Sequence, residues 1–250
     1  MKVIHIDSGL GNQMLSYCEY LALRKANPNE QFYIENFIYD IPECNEVTCQ
    51  WNGYELERVF GINSPENLKT IIPEEDLKIF MSYVRESHFW DKNMNFPKYF
   101  TEGFKKIGLN LTNTFGDFEA PELMAIHHPD TTSFSYKLKH AVKRSLPYLY
   151  LQMWKKRKPI PASQLDCRDS LFIKTDENLF AGQKLKFKFK GSGIELIEDE
   201  VRRCFAFPAI ADEKNASEYD YIKSHNAVAI HARRGDMLGL NYPCYVTGYF

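Results

Sequence analysis

Apolar and polar positions along the chain fall into blocks whose periods differ. Lys2 to Asp7 carries Val3, Ile4 and Ile6 in a short apolar run, which predicts a first strand, and Ser8 to Gly11 forms a tight turn. From Asn12 to about Lys25, Met14, Cys18, Leu21 and Ala22 recur at the spacing of a helix's core face. Gln31 to Ile34 supplies a second strand. The opening is therefore β–α–β, and the right-handed crossover predicts that the two strands pair in parallel. Glu55 to Phe60 reads as a short helix, and Pro73 to Lys158 is mostly helical in pattern, broken by Pro97, Pro121, Pro129 and Pro147. Lys184 to Lys190 alternates strictly, with Leu185, Phe187 and Phe189 on one face and lysines on the other, as in a half-exposed strand. Gly191-Ser192-Gly193 is hinge-like punctuation. Ile194 to Phe205 follows as an amphipathic helix with acids early and Arg202-Arg203 late, in keeping with the helix dipole, and Pro208 ends it. A further helix, roughly Asp212 to Lys223, leads into Ala227 to Ile230, an apolar run that predicts a strand covered on both faces. The expected fold class is α/β, of the doubly wound kind.

Composition narrows this only slightly. The 250 residues, 44% of them hydrophobic, suffice for one large or two modest domains. With 31 basic against 33 acidic residues the net charge is -2, so no global field points to nucleic acid, and none is expected as a partner. One lysine precedes the first strand, with no apolar signal-peptide core, and no run approaches membrane-span length, so a cytoplasmic location is expected. Cys18, Cys44, Cys49, Cys167, Cys204 and Cys244 show no zinc or redox spacing and read as reduced thiols. Charge is uneven in one place. From Thr131 to Leu165 there is no acid, while Lys137, Lys139, Lys143, Arg144, Lys155, Lys156, Arg157 and Lys158 accumulate among Tyr136, Tyr148, Tyr150 and Trp154. Residues 136–158 suit peripheral attachment to the anionic inner face of a membrane; a solvated helical face is the other reading.

Two stretches carry candidate chemistry. His231-Ala-Arg233-Arg234-Gly235-Asp236 follows the last expected strand, where ligands of open α/β sheets sit. Adjacent guanidiniums repel each other, so a bound anion between them is a physical reason for the pair, and their planar donor forks match phosphate oxygens. A solvated turn with a local Arg–Asp ion pair would use the same residues. Gly9-Leu-Gly11-Asn12-Gln13-Met14 sits in a strand–turn–helix whose backbone N–H groups could face an anion, although the third glycine of the dinucleotide fingerprint is missing. The alternative is that both glycines merely permit the turn and Asn12 caps the helix.

Together these stretches resemble two motifs of the α-1,2-fucosyltransferases, His-x-Arg-Arg-x-Asp and the amino-terminal Gly-Leu-Gly-Asn-Gln-Met. Glu195 to Pro208, with its Phe-x-Phe-Pro ending, resembles bacterial members; the sequence between matches loosely. The resemblance implies a GT-B architecture of two Rossmann-like lobes, with 1–207 the first lobe, bearing helical insertions, and 208–250 the start of the donor-binding lobe. Because the chain ends at Phe250, shortly after the arginine motif, that second lobe is expected to be incomplete and turnover by this chain poor. The implied activity is inverting transfer of L-fucose from GDP-fucose to the 2-hydroxyl of a galactose on a glycan acceptor, which in bacteria is often lipid-linked. Arg233 and Arg234 would hold the diphosphate, Gly11, Asn12 and Gln13 would face the donor, and Asp236 and His231 are candidates for the acceptor's base. No Asp-x-Asp occurs in the chain, so no metal and no other cofactor is expected. The alternatives are a non-catalytic module binding a GDP-sugar or a glycan, a truncated inactive relative, and an unrelated nucleotide-dependent enzyme.

Overall fold

The structure is a computed structural model that describes residues 1–44, 52–63, 66–92, 94–115, 132–156, 168–173, 175–182 and 191–228. The chain opens with β1 (Lys2–His5), α1 (Leu10–Ala26) and β2 (Phe32–Glu35). After α2 (Glu55–Phe60) come α3 (Glu74–Glu86) and α4 (Phe96–Lys106), then β3 (Thr112–Asn113). The helices α5 (Phe134–Arg144) and α6 (Leu146–Lys156) precede β4 (Leu179–Ala181), and α7 (Ile194–Cys204) and α8 (Glu213–Ser224) follow it.

The strands form one four-stranded sheet in the order β2-β1-β4-β3, with every pair parallel. β1 lies inside the sheet with both faces covered, which explains its apolar run. Ile4 and Ile6 point to one layer, where they meet Tyr20, Leu21 and Ala22 of α1, Leu56 of α2, Ile197 of α7, and Leu171 from the turn Arg168–Leu171. Val3 points to the other, a phenylalanine-rich layer built from Phe37, Phe80 of α3, Phe100 and Phe104 of α4, and Phe180 of β4. Helices therefore flank a parallel sheet on both faces, a Rossmann-like α/β arrangement. The Phe80 and Phe104 rings stack 4.6 Å apart, and each fully buried phenylalanine contributes about 1.5–3 kcal/mol. Gly103 permits this closeness, because a Cβ there would lie 2.9 Å from the Phe80 ring.

Most expected elements are present within a few residues of their expected ends, and the parallel pairing of the first two strands is found. The differences have physical reasons. α1 begins at Leu10 rather than Asn12, because the Gly9 carbonyl already accepts from the N–H groups of Asn12 (2.9 Å) and Gln13 (3.1 Å). Among the described residues the middle of the chain is mostly helical, but it also contains β3, held by bonds from Thr112 N to Asn178 O (2.7 Å) and from Thr114 N to Phe180 O (3.0 Å). Two or three residues leave no periodic trace, which is why neither β3 nor β4 was expected. Gly191 to Gly193 is buried rather than hinge-like, and Gly193, at φ 91°, starts α7 hard against Ala22 and Leu171. α7 stops at Cys204, well before Pro208. Ala227 and Val228 are unpaired, with Val228 88% exposed, so the described start of the last expected strand is not covered on both faces. A buried strand needs a neighbour, and none pairs with these two among the described residues. The expected strand at 184–190 lies outside the described residues.

Candidate functional site

The carboxyl edge of a parallel sheet is where the α/β architecture collects ligand-binding groups, and here β1 and β2 bring three ionisable side chains to it. Register places His5 opposite Glu35, and His5 Nδ1 makes a close contact with Glu35 Oε1. Glu35 Oε2 also accepts from the Phe37 N–H (3.0 Å), so this buried carboxylate is engaged at both oxygens. His5 is only 2% exposed and stacks on Phe96 with centroids 4.1 Å apart, while Phe100, Phe115 and Phe180 present their edges at about 6 Å. Its Nε2 makes no hydrogen bond and lies 3.6 Å from Asp7 Oδ2, an ion-pair distance. Burial alone would lower the imidazole's pKa. The Glu35 and Asp7 carboxylates outweigh it and hold His5 up at about 9, so the ring is a cation at neutral pH. For Asp7 burial acts upward, but the neighbouring His5 cation, with the Ser8 hydroxyl, outweighs it and lowers its pKa. Its side chain remains 33% exposed, so an ionised carboxylate faces outward from a sealed cation.

Next to Asp7 the backbone turns into α1. Ser8 sits at φ 63°, a conformation that strains a residue bearing a side chain. Two side chains hold its carbonyl there, Gln13 Nε2 at 2.8 Å and the Tyr39 hydroxyl at 2.7 Å. Gln13 also donates to Gly53 O (3.0 Å) and accepts from Glu55 N (2.8 Å), tying the turn to the start of α2. It is buried and fully used, so the expected donor-facing role for Gln13 gives way to a structural one. Asn12, by contrast, is exposed in the first turn of α1, and it does not cap the helix: Gly9 is the capping residue.

The two glycines are not explained by the fold. Gly9 has φ -78°, Gly11 is helical, and a Cβ on either would meet nothing within 4 Å. The turn is made by Ser8 instead. Beside it stand the Tyr39 and Tyr54 rings, 5.7 Å apart, and the Tyr54 hydroxyl is buried with no hydrogen-bond partner. Burial is also the main reason that this phenol's pKa is pushed up to about 12, so it stays protonated. A part-exposed carboxylate, an exposed carboxamide, two tyrosines and two open glycines surround one turn. That donor and acceptor set, with aromatic faces, suits a neutral polyhydroxylated ligand.

Of the residues expected to form the site, Gly11, Asn12 and Gln13 are therefore gathered at the α1 turn, while His231, Arg233, Arg234 and Asp236 lie outside the described residues. His5, Asp7 and Glu35 were missed in the sequence. Polar residues at positions 5 and 7 of a doubly covered strand were the available signal, and the parallel register would have added position 35. Among the described residues no group of three ligand-type side chains has metal-holding geometry. An open groove of about 450 Å³ over α3, lined by Glu75, Lys78, Ser82, Tyr83 and Lys106 among others, is built from different residues. No family model, curated protein or solved structure matches the chain.

Proposed function

We propose that the chain is a GT-B-type α-1,2-fucosyltransferase lobe, with 1–207 forming the first lobe and 208–250 opening the second, and that it acts in inverting transfer of L-fucose from GDP-fucose to a galactose 2-hydroxyl. One observation supports this above the rest. Gly9 and Gly11 stand open at the carboxyl edge of a parallel sheet, in a turn that needs no glycine, and they belong to one of the two stretches that resemble this family. A glycine in a helix costs about 0.5–1 kcal/mol relative to alanine, so its presence without a steric demand from the chain points to a ligand that approaches the backbone. The ionised Asp7 beside the turn favours sugar hydroxyls there over a diphosphate.

In this reading the doubled arginine faces the departing GDP. Negative charge grows on the β-phosphate as the sugar acquires oxocarbenium character, and Arg233 and Arg234 stabilise it in the role that a metal fills elsewhere. The acceptor hydroxyl must lose a proton as it attacks. Asp236 and His231 remain candidates for that task, whereas His5, protonated and sealed, serves to keep Asp7 ionised. Release of GDP from GDP-fucose in the presence of lactose is the test. Lactose-dependent release supports the transferase; saturable binding with no release would replace it by a binding module, and the absence of both would end the proposal.

A further inference from the structure

α5 and α6 have each other as their main packing partner, and no residue from Thr132 to Trp154 is buried. Yet both carry large apolar side chains. On α5, Phe134, Leu138 and Val142 recur every fourth residue, with Phe134 80% exposed. On α6, Leu146, Leu149, Tyr150, Met153 and Trp154 form a broader stripe at three- and four-residue spacing, all exposed. At helical pitch Lys137 and Lys139 fall on the two flanks of the α5 stripe, and Tyr136 and His140 stack on the far side with centroids 5.8 Å apart.

We propose that this helix pair is a docking element that lies in the surface of an anionic lipid bilayer, independently of the transfer reaction. Exposed apolar stripes need cover, and charge decides which cover fits. The whole span from Thr131 to Leu165 is free of acid, so a second copy seated on it would set lysine against lysine. A bilayer with anionic headgroups accepts the stripe into its acyl boundary while Lys137 and Lys139 extend their stems outward to the phosphates. Tyr150 and Trp154 have the amphipathic rings that suit the headgroup level. α8 supplies the contrast. It also exposes Tyr219, Tyr221 and Ile222, but with Glu213, Glu218 and Asp220 among them, and an anionic surface repels it. Among the described residues no helix is long and apolar enough to cross a membrane, so the contact is interfacial.

Sedimentation of the purified chain with phosphatidylcholine vesicles, with and without phosphatidylglycerol, tests this. Strong partitioning is expected only with phosphatidylglycerol, weakened by high salt. Reversing Lys137, Lys139, Lys143 and Arg144 to glutamate should lower it at least about a hundredfold, since each basic residue near such a surface contributes about a factor of five. Phe134→Ser with Leu138→Ser should lower it without changing the circular dichroism, because neither side chain is buried. Equal binding to both vesicle types, no binding to either, or partitioning unmoved by both sets of substitutions would overturn the proposal. Self-association through these helices, abolished by the serine pair, would overturn it in favour of an interface between copies.

Discussion

Gly11 and Gly193 make opposite demands on a methyl group. At Gly193, φ 91° disfavours any side chain, and a Cβ would sit 2.7 Å from Leu171 Cδ2 and 2.8 Å from Ala22 Cβ. Gly193→Ala is therefore expected to destabilise the fold by about 1–3 kcal/mol, through overpacking and backbone strain. Gly11→Ala meets open space in a helix and should raise stability by up to about 1 kcal/mol. If a ligand approaches the backbone there, the same change should weaken GDP-fucose or acceptor binding. Urea melts with calorimetric titration separate the two effects, and a stabilised Gly11→Ala with unimpaired binding and turnover would remove the turn from the site. The arginine pair makes a different prediction, one that rests on side-chain shape. Lysine keeps the charge but loses the fork, so Arg233→Lys or Arg234→Lys should cost roughly 2.7–4 kcal/mol in kcat, with Arg233 the more sensitive. Unchanged kcat in both, with thermal unfolding also unchanged, would leave them a solvated turn. His5 sets a pH window. Its pKa lies above the ordinary 6.5, at about 9, so its stabilisation is complete below 6.5 and is lost as pH rises through 9. A shift of that size corresponds to roughly 3 kcal/mol, and it acts opposite to Asp7, whose contribution is lost only as acid protonates it. Urea midpoints should fall across that alkaline window in the parent and stay flat in His5→Gln; an identical fall in both would assign it to other groups.

At the scale of elements, what was legible follows from length and period. α1 and α7 run for eleven residues or more, and their apolar spacing could be read directly. β1 and β2 were readable because burial leaves each a short apolar core, Val3-Ile4 in one and Phe32 to Ile34 in the other. β4 was not, since Leu179-Phe180-Ala181 has no pattern of its own and becomes a strand only by filling the gap between β1 and β3. The candidate site divides in the same way. The turn from Gly9 to Gln13 could be located in the sequence, but which of its residues face outward depends on contacts with Gly53 and Glu55, some forty positions away. Gln13 looked like a ligand contact and is a brace. Gln13→Ala is accordingly expected to lower stability by about 1–3 kcal/mol, because it leaves the buried Glu55 N–H unpaired and removes one of the two donors to the Ser8 carbonyl. Chemical denaturation checks this, and a neutral result would mean that the Tyr39 hydroxyl alone suffices to hold Ser8.

At the scale of the whole molecule, long-range ties converge on β1 and α1. Arg24 joins Glu66 at 3.1 Å to Glu200 at 3.2 Å, and Asn27 clasps Leu171 O (2.6 Å) and Ile173 N (2.9 Å). The ion pairs are half exposed and each contributes at most about 1 kcal/mol, so the binding together of distant segments rests mainly on the apolar layers beneath them. β1 itself has two edges that close at very different moments. Its pairing with β2 spans thirty residues and can form as soon as that length of chain is free, bringing His5 to Glu35. Its pairing with β4 waits for Leu179 to Ala181, and with them for Phe180, the ring that helps seal His5. Until Leu179 to Ala181 are made, the nascent chain thus carries an open, apolar strand edge beside an incompletely covered charge. Contacts so distant in sequence slow folding, and an unpaired edge invites pairing with other chains. Soluble yield should therefore depend on temperature and chaperone supply during expression more than on the stability of the finished fold.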